Sequence, residues 1–509
     1  MKGCTNMEEI IKKLTELSKT IATMESCTGG AVANSITNIE GASLVFKFGA
    51  VTYSNEYKIK MGVDSNIIDK YTVYSIETAM EMSKNIAEFS NADYGIGITG
   101  KINREDQNNM FGDNSKILKL RTSIRNLCFY LGLLIEISIV LIDKSTFVNP
   151  VEGMLFRLTF LLFGAALLMT HYSGREWFVI FFFGILGVIS YYVTGRNEII
   201  RFVVFIAACK EMDMKPVMKT LFWVTLAGCM MIIMASITGL FGEVALTQAY
   251  EAGGVDTRYV LGMGHPNTLY CMSWAVMLLG MYVYADKIQW YTYLCLAAGS
   301  VGLFAFTKTA TGILIALFSI ISAALFQYLP KLRSSKIVTG LSMLGYSFCF
   351  LVSVLGAANA NRVLDYNWGL DDSMQAKIYV LLDKFLTGRL LTLASTEISD
   401  GTLQTWRIFA KPDTTYYFDL GWVRLFYWYG IIPAVIFILL LLYLLYFCFK
   451  KKDYMAVVMI LSITIYTVVE AHFISVYIAR NYLLFLLGIY WYQMIPQREH
   501  HLTVESIRK

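Results

Sequence analysis

The sequence predicts an all-α polytopic membrane protein with about twelve transmembrane helices, preceded by a small α/β domain. Of the 509 residues, 56% are hydrophobic and only 16% are charged, and the mean hydropathy is +0.53. A soluble chain of this length carries more polar surface. The apolar residues are concentrated after residue 117, in recurring runs that are each long enough to cross a hydrocarbon core of ~30 Å.

The N-terminal domain, residues 1–117, alternates between helical and strand patterns. Apolar residues at helical spacing predict a first helix over 7–18 and a longer one over 75–89. Strands are predicted over 20–23, 46–53 and 94–99. This alternation predicts a three-layer α/β unit.

Residues 118–509 form the predicted membrane domain. Each span should be a helix, because backbone polar groups inside a bilayer must bond to one another. The predicted spans are 124–142, 152–170, 177–194, 198–209, 217–241, 265–285, 289–307, 309–329, 337–357, 422–449, 454–478 and 481–496.

The orientation of these spans follows from lysine and arginine, which are enriched in cytoplasmic loops. Cations cluster before the first span and in every second short loop after it, so both termini are predicted to be cytoplasmic. The clustered cations include Lys116, Lys119, Arg121, Arg125, Lys210, Lys215, Lys219, Lys331, Arg333, Lys336, Lys450, Lys451 and Lys452. The opposite short loops contain only isolated cations.

One long connection, residues 358–421, is predicted to lie outside. Connections of this length are uncommon and are usually functional or disordered. Within it, Ile378, Leu381, Leu382 and Phe385 have helical spacing, which predicts a short amphipathic helix at the outer membrane surface.

Polar residues in or near the predicted spans are candidates for chemistry. His265 precedes a proline where a span opens, and Glu470 and His472 lie in the eleventh apolar run. An ionisable residue in such a run is costly, so it predicts a functional site or a structural ion pair. The nine cysteines form no CxxC pair or ligand-spaced cluster. We therefore predict no metal site and no cofactor.

Arginines on the predicted outer side could bind phosphate oxygens, because the guanidinium has a fixed fork of donors. The alternative for each is anchoring at the membrane interface. The main candidate is Arg389, with Arg258 as a weaker one. Further candidates for binding substrate are Asp383, Lys384, Asp419, Arg424 and Arg480.

The membrane domain resembles the Wzy-type polymerases and O-antigen ligases of bacterial surface polysaccharide. The resemblance rests on the span number, the single long outer loop and a set of short motifs. These are GHPN at 264–267, TKTATG at 307–312, LDKFLTGR at 382–389, YFD at 417–419 and YGI at 429–431, followed by Glu470 and Arg480.

This resemblance implies polymerisation of undecaprenyl-pyrophosphate-linked oligosaccharides at the outer leaflet of the bacterial cytoplasmic membrane. Arginine would stabilise the leaving pyrophosphate, and His265, Glu470 or His472 would orient or deprotonate the acceptor hydroxyl. Expected partners are the lipid bilayer, a flippase and a chain-length regulator, but no nucleic acid.

A ligase on the same scaffold and a transporter of lipid-linked oligosaccharide remain as alternatives. A soluble amidase on a membrane anchor is a weaker one, since an anchor needs only one or two spans.

The N-terminal domain resembles the CinA C-terminal family, which contains nicotinamide-nucleotide amidases. The matching motifs are ATMESCTGG at 22–30, GAS at 41–43, VTYSNE at 51–56 with Lys58, and IGITG at 96–100. The resemblance implies that Ser43 is the nucleophile, that Tyr53 and Lys58 activate it, and that Thr99 contacts the substrate. The match ends near residue 117, about 40 residues before the family domain closes, so we expect an incomplete fold and little amidase activity.

Overall fold

The computed structural model describes residues 7–100, 113–249, 255–395, 402–410, 418–471 and 473–495. His472, named above as a candidate, lies outside these residues. The chain divides into two compact units, residues 1–123 and 124–509. The domain boundary predicted at residue 117 therefore lies close to the division between the units.

The N-terminal unit contains a parallel three-stranded sheet. Strand β1 lies in the centre and pairs with β2 on one side and β3 on the other. The elements are α1 (Met7–Glu16), β1 (Ile21–Glu25), α2 (Ala31–Thr37), β2 (Phe46–Val51), α3 (Asn55–Lys60), α4 (Ser65–Tyr71), α5 (Ile76–Ser90) and β3 (Tyr94–Ile98). The predicted strands and helices are all present, with ends shifted by a few residues.

Both faces of this sheet are covered. Ala22 and Met24 pack with residues of α4 and α5, whereas Ile21 packs with residues of α1 and α2. All five residues of β1 are buried because strand β1 is covered on both faces and paired on both edges. The predicted three-layer arrangement is therefore confirmed for the described residues.

The described residues of the second unit are mainly helical, and the first helix of this unit begins before residue 124. Its helices are α6 (Asp113–Lys144), α7 (Glu152–Leu168), α8 (Gly174–Thr194), α9 (Glu198–Ala208), α10 (Met214–Ile237), α11 (Pro266–Val283), α12 (Trp290–Thr307), α13 (Ala310–Tyr328), α14 (Pro330–Arg333), α15 (Lys336–Ala358), α16 (Ala360–Asn367), α17 (Met374–Phe385), α18 (Arg389–Ser395), α19 (Gly421–Tyr429), α20 (Ile431–Lys451), α21 (Tyr454–Val469) and α22 (Tyr482–Met494). A hairpin of β4 (Ala245–Ala249) and β5 (Val255–Tyr259), which the sequence did not predict, precedes α11.

Seven of the described helices are long and apolar enough to cross a membrane: α6 from Leu120, α8, α10, α12, α13, α15 and α20. A helix also lies in each of the other predicted spans, but the number twelve is not confirmed. Helices α21 and α22 have only 16 and 13 residues and are largely buried. Short helices suffice there because protein, rather than lipid, surrounds them.

The predicted span 422–449 is wrong as a single helix, because the chain breaks at Gly430 between α19 and α20. Gly430 has φ of 95°, and a Cβ there would lie 2.6 Å from backbone atoms of residues 408–410. The N–H of Ile431 donates to the carbonyl oxygen of Arg407 at 2.9 Å. A segment of the long loop therefore occupies the break, and only glycine leaves room for it.

The predicted span 454–478 is also too long, since α21 ends at Val469. None of the described residues between Val469 and Tyr482 is in an α-helix, and Ile478–Arg480 form a 3₁₀ turn. Hydropathy does not show this end, because the residues after it remain apolar.

The irregular segment 470–481 is held by charged residues of other helices. Glu136, fully buried in α6, accepts from the N–H of Ile478 at 3.2 Å. Arg201 pairs with Glu136 at 2.8 Å and donates to the carbonyl oxygen of Val476 at 3.1 Å. Irregular backbone in an apolar bundle is stable only when protein groups satisfy it in this way.

Residues at helix ends that are predicted to lie on the same side of the membrane contact one another. At one end of the bundle, Arg125 pairs with Glu211 at 2.6 Å. At the other, Tyr477 donates to Asp143 at 2.7 Å. The long loop contacts this second end through Arg389, as described below.

We predict that the long loop is extracytoplasmic and that both termini are cytoplasmic. In a variant lacking all nine native cysteines, Ser395→Cys should react with a membrane-impermeant maleimide in intact cells. Ser334→Cys, which is also exposed but lies in the connection between α14 and α15, should react only after permeabilisation. The reverse pattern would overturn the orientation.

Candidate functional site

A cluster of polar side chains forms where five separated parts of the second unit meet. They are the start of α11, the turn between α12 and α13, the start of α18, the residues before α19 and the end of α21. Each contributes one or two side chains: His265, Asn267, Thr309, Arg389, Asp419 and Glu470. We call these six residues the polar cluster.

Glu470 and Arg389 are at the centre of the polar cluster. The Nη2 atom of Arg389 donates to Oε1 of Glu470 at 2.7 Å, and each side chain is only 12% exposed. Asp419 lies 3.8 Å from the same guanidinium nitrogen and is more exposed. Arg389 therefore has one close carboxylate partner and one weak one.

The local structure of the long loop fixes the position of Arg389. The chain reverses between α17 and α18 through Thr387 and Gly388, both with positive φ. The buried carboxylate of Asp383 accepts from the N–H groups of Leu390 and Leu391, at 2.7 and 3.3 Å, and so caps α18. Arg389 is the first residue of that helix.

The guanidinium of Arg389 also bonds within the turn. Its Nη1 atom donates to the carbonyl oxygen of Leu386 at 3.2 Å and to the hydroxyl of Thr387. Its Nε atom is buried and has no hydrogen-bond partner among the described residues. The Nη atoms of the guanidinium are thus engaged within the turn and by Glu470.

Asn267 links α11 to the other side of the polar cluster. Its Nδ2 atom donates to Oε1 of Glu470 at 3.2 Å, and its Oδ1 atom accepts from the hydroxyl of Thr309 at 3.2 Å. His265 caps α11, because its Nδ1 accepts from the N–H of Asn267 at 3.2 Å. The motifs at 264–267 and 307–312 therefore meet in space.

Further cations surround this cluster. Arg258 and Asp419 are both close enough to His265 to interact with it electrostatically. Arg480 is close enough to Glu470 to interact with it electrostatically. It also lies 3.7 Å from Asp143, and Asp143 pairs with Lys144 at 2.8 Å. The sequence reasoning named Arg258 and Arg480 but missed Asn267, Thr309, Asp143 and Lys144.

Other predicted site residues lie elsewhere or have structural contacts. Lys384 is on the exposed side of α17. Arg424 is buried and donates to the carbonyl oxygen of Phe418, with its guanidinium 5.0 Å from the ring of Trp428. Asp383 is engaged in capping α18. No cluster of three or more metal-binding side chains occurs in the described part of the chain.

In the N-terminal unit, Lys58 is the central group of a second candidate site. It is fully buried and donates to Oγ of Ser26 at 3.1 Å and to the carbonyl oxygens of Thr52 and Tyr53, at 2.8 and 3.2 Å. Burial lowers the pKa of Lys58 to about 8, partly offset by nearby Cys27. A neutral amine near pH 8 can act as a base.

The predicted nucleophile is not among the partners of Lys58. Ser43 is exposed in a 3₁₀ turn at Ala42–Leu44, and the side chain of Tyr53 is 64% exposed. The hydroxyl of Thr99 donates to the carbonyl oxygen of Val73 at 2.6 Å. Ser26, which the sequence reasoning placed only within a motif, contacts the lysine instead.

Glu25 fixes the loop that contains Ser26. It is fully buried and accepts from the hydroxyl of Thr28 at 2.6 Å and from the N–H groups of Val32 and Ala33, at 3.0 and 2.7 Å. Burial acts to raise the pKa of Glu25, but these hydrogen bonds outweigh it and lower the pKa below its ordinary value. The carboxylate thus anchors α2 to β1.

The fold and these contacts define the first unit as an α/β domain with a buried lysine at the carboxyl ends of its strands, and the second as a helical bundle of membrane type. Residues 5–109 match the family described as CinA C-terminal domain. The match ends before α6 begins, so it covers the first unit alone.

Individual proteins are also similar to part of this chain. A protein of Thermoanaerobacter sp. (strain X514), whose name describes it as competence-damage inducible, is 47% identical over 96 residues, which are 18% of this chain and 23% of the relative. The CinA-like protein of Kosmotoga olearia is 45% identical over 100 residues, 19% of this chain and 24% of the relative. The chain thus spans about a quarter of the length of these relatives.

Among solved structures, the competence/damage inducible protein CihA of Agrobacterium tumefaciens is 33% identical. The alignment covers 21% of this chain and 68% of that chain, with a TM-score of 0.18. The competence or damage-inducible protein of Enterobacter asburiae is 31% identical over 18% of this chain and 59% of that chain, with a TM-score of 0.17.

We predict strong energetic coupling between Arg389 and Glu470. Removing one member of a buried ion pair leaves an uncompensated charge and costs about 3–5 kcal/mol. Arg389→Met and Glu470→Leu should each lower the unfolding temperature in detergent. The double variant should be destabilised by about 0.5–3 kcal/mol less than the sum of the two.

The control for this double-mutant cycle is the more exposed pair of Arg362 and Asp371, whose charged atoms are 3.5 Å apart and whose side chains are 40% and 27% exposed. Exposed pairs contribute about 0–1 kcal/mol, so substitution of both by alanine should give little coupling. Additive effects for Arg389 and Glu470 would contradict the prediction.

Proposed function

We propose that the second unit is a membrane glycosyltransferase that polymerises undecaprenyl-pyrophosphate-linked oligosaccharides at the outer leaflet. The observation that supports this most is the convergence of Arg389, Glu470 and Asn267 from parts of the chain far apart in sequence. Simple anchoring of arginines at an interface does not require a carboxylate and an amide at the same point.

The chemistry of such a transfer matches the residue types in the polar cluster. A hydroxyl oxygen of the acceptor sugar attacks the anomeric carbon of the donor sugar. The bond from that carbon to the pyrophosphate oxygen breaks, and the lipid pyrophosphate leaves with the electron pair. The hydroxyl proton passes to a nearby base, for which Glu470 and His265 are the candidates.

The arginines would stabilise the charge that develops on the leaving pyrophosphate. Arg389 is held rigidly by its own turn and by Glu470, and a preorganised donor stabilises a developing anion without further rearrangement. Arg258 and Arg480 lie near the polar cluster and add positive charge. In this proposal the bilayer, a flippase and a chain-length regulator are the partners, and both termini are cytoplasmic.

We predict that substitution of Arg389 shortens or abolishes the polymer. Arg389→Ala should reduce the rate about 10²–10³-fold, as for loss of one preorganised donor. Arg389→Lys should also be impaired, because lysine keeps the charge but lacks the planar fork. The measurement is polymer length in a polymerase-deleted host that expresses each variant at equal levels.

The control for this experiment is Arg362→Ala, an arginine of the same loop that pairs with Asp371 and lies outside the polar cluster. It should leave polymer length unchanged. Normal long polymer from Arg389→Ala would refute the assignment. Single transfer of finished glycan to an acceptor, without chain growth, would instead favour the ligase.

For the N-terminal unit, we propose a CinA C-terminal-type domain with little or no amidase activity. The support is the placement of Lys58, which contacts Ser26 and the carbonyl oxygens of Thr52 and Tyr53 and not Ser43.

We predict that the purified protein hydrolyses nicotinamide mononucleotide poorly or not at all. Lys58 is engaged by Ser26 and two carbonyl oxygens rather than by Ser43, so the expected nucleophile lacks its base. Any residual hydrolysis should increase between about pH 7 and 9, as Lys58 loses its proton, and should disappear in Lys58→Met. Robust turnover that is lost in Ser43→Ala would show that the domain is an active amidase.

A further inference from the structure

Helix α17 of the long loop exposes one apolar stripe. Met374, Ile378, Leu381 and Phe385 are 75%, 56%, 58% and 76% exposed. Their spacing places them on a single face of the helix. The opposite face is packed, because Ala376 and Asp383 on that side are buried. The stripe is therefore a surface without a protein partner among the described residues.

Two lysines run along one edge of this stripe. Lys377 and Lys384 are seven residues apart, and both are exposed. Lys377 also pairs with Asp372 at 3.0 Å. An apolar face bordered by cations is typical of a helix that lies on a bilayer surface. There the apolar side chains insert into the acyl-chain region, and the lysines contact the phosphate groups of the lipid headgroups.

The surroundings of α17 favour lipid over a second protein. Trp368 and Leu370, just before the helix, are 66% and 72% exposed, and tryptophan is enriched at membrane interfaces. Helix α15, which is long and apolar enough to span a membrane, is separated from Trp368 only by Asn359 and α16. It also exposes apolar residues at helical spacing: Leu341, Leu344, Phe348, Leu351 and Leu355.

The packed face of α17 leads directly to Arg389. Asp383 on this face caps α18 through Leu390 and Leu391, and α18 begins with Arg389. Arg389 in turn binds Glu470. A change in the position of α17 would therefore move the arginine of the polar cluster.

We propose that α17 docks on the outer leaflet of the membrane and that this docking sets the position of Arg389 relative to the lipid headgroups. The docking rests on the stripe and its surroundings, whereas its effect on polymer synthesis rests on the proposed function. The lipid surface then determines the height at which the polar cluster meets a lipid-linked pyrophosphate.

The test of docking uses the full chain without native cysteines, in vesicles of phosphatidylethanolamine and phosphatidylglycerol. Ile378→Cys and Leu381→Cys are labelled with a fluorophore, and the vesicles contain lipids with a nitroxide on the acyl chain. Both labels should lose fluorescence to the nitroxide and resist iodide in the buffer. The control Gln404→Cys, exposed in the same loop, should show the opposite.

Two results would overturn docking. Quenching of positions 378 and 381 by iodide, but not by nitroxide, would mean that the stripe faces water. Resistance to both quenchers would mean that protein covers it, as in an association of two copies. Because the substituted side chains are exposed, neither variant removes a packed core residue.

The effect on Arg389 is tested with Ile378→Ser combined with Leu381→Ser. The polymer made by this variant should be shorter than the polymer made by the wild-type chain. Added to Arg389→Ala, the two serine substitutions should have no further effect on polymer length. Normal polymer length with loss of nitroxide quenching would overturn the coupling. Absence of polymer from the wild-type chain would refute the proposed function, while the quenching result would still decide whether α17 docks.

Discussion

The ion pair between Arg389 and Glu470 connects the long loop to the end of α21 at 2.7 Å. Because both side chains are largely buried, each charge depends on the other, and loss of either would cost about 3–5 kcal/mol. The pair therefore requires that two irregular parts of the chain be fixed in position. Asp383 fixes the first by capping α18, and Asn267 adds a second donor to Glu470.

The second irregular part depends on charges inside the bundle. The described residues of the segment 470–481 are not in an α-helix, and their polar groups bond to Glu136, Arg201 and Asp143. Glu136 and Asp143 are seven residues apart on α6, two turns along one face, about 10 Å at the helical rise. One helix thus holds the segment at two points, which defines the route of the chain from Glu470 to Arg480.

Much of the fold could be predicted from the sequence, because hydrophobic spacing determines where helices and strands form. The breaks could not. Gly430 and the end of α21 lie in runs that remain apolar, and each break is stabilised by distant residues, Arg407 in one case and Glu136 in the other. Helix spacing alone does not show such partners.

The candidate site shows the same division. The motifs around His265, Arg389 and Glu470 indicated residues that do converge, because buried charges and helix-breaking residues are rarely accidental in apolar segments. Asn267 and Thr309 were present in the motifs but were not singled out. An amide or a hydroxyl costs much less than a charge in an apolar segment, so its presence in the sequence does not indicate a site. Glu136 did indicate a buried contact, because it is an acidic residue within the first predicted span.

The balance of charge explains how an anion could bind beside carboxylates. Near the polar cluster, Arg389, Arg258, Arg480 and Lys144 face Glu470, Asp419 and Asp143. Asp419 is the weakest partner of Arg389, 3.8 Å away and with a side chain 38% exposed, so its contribution is screened by water. A phosphate group that displaced Asp419 would approach the Nη2 atom of Arg389 while Glu470 kept the guanidinium in place. The buried carboxylate would then position the arginine, and the exposed one would give way to the substrate.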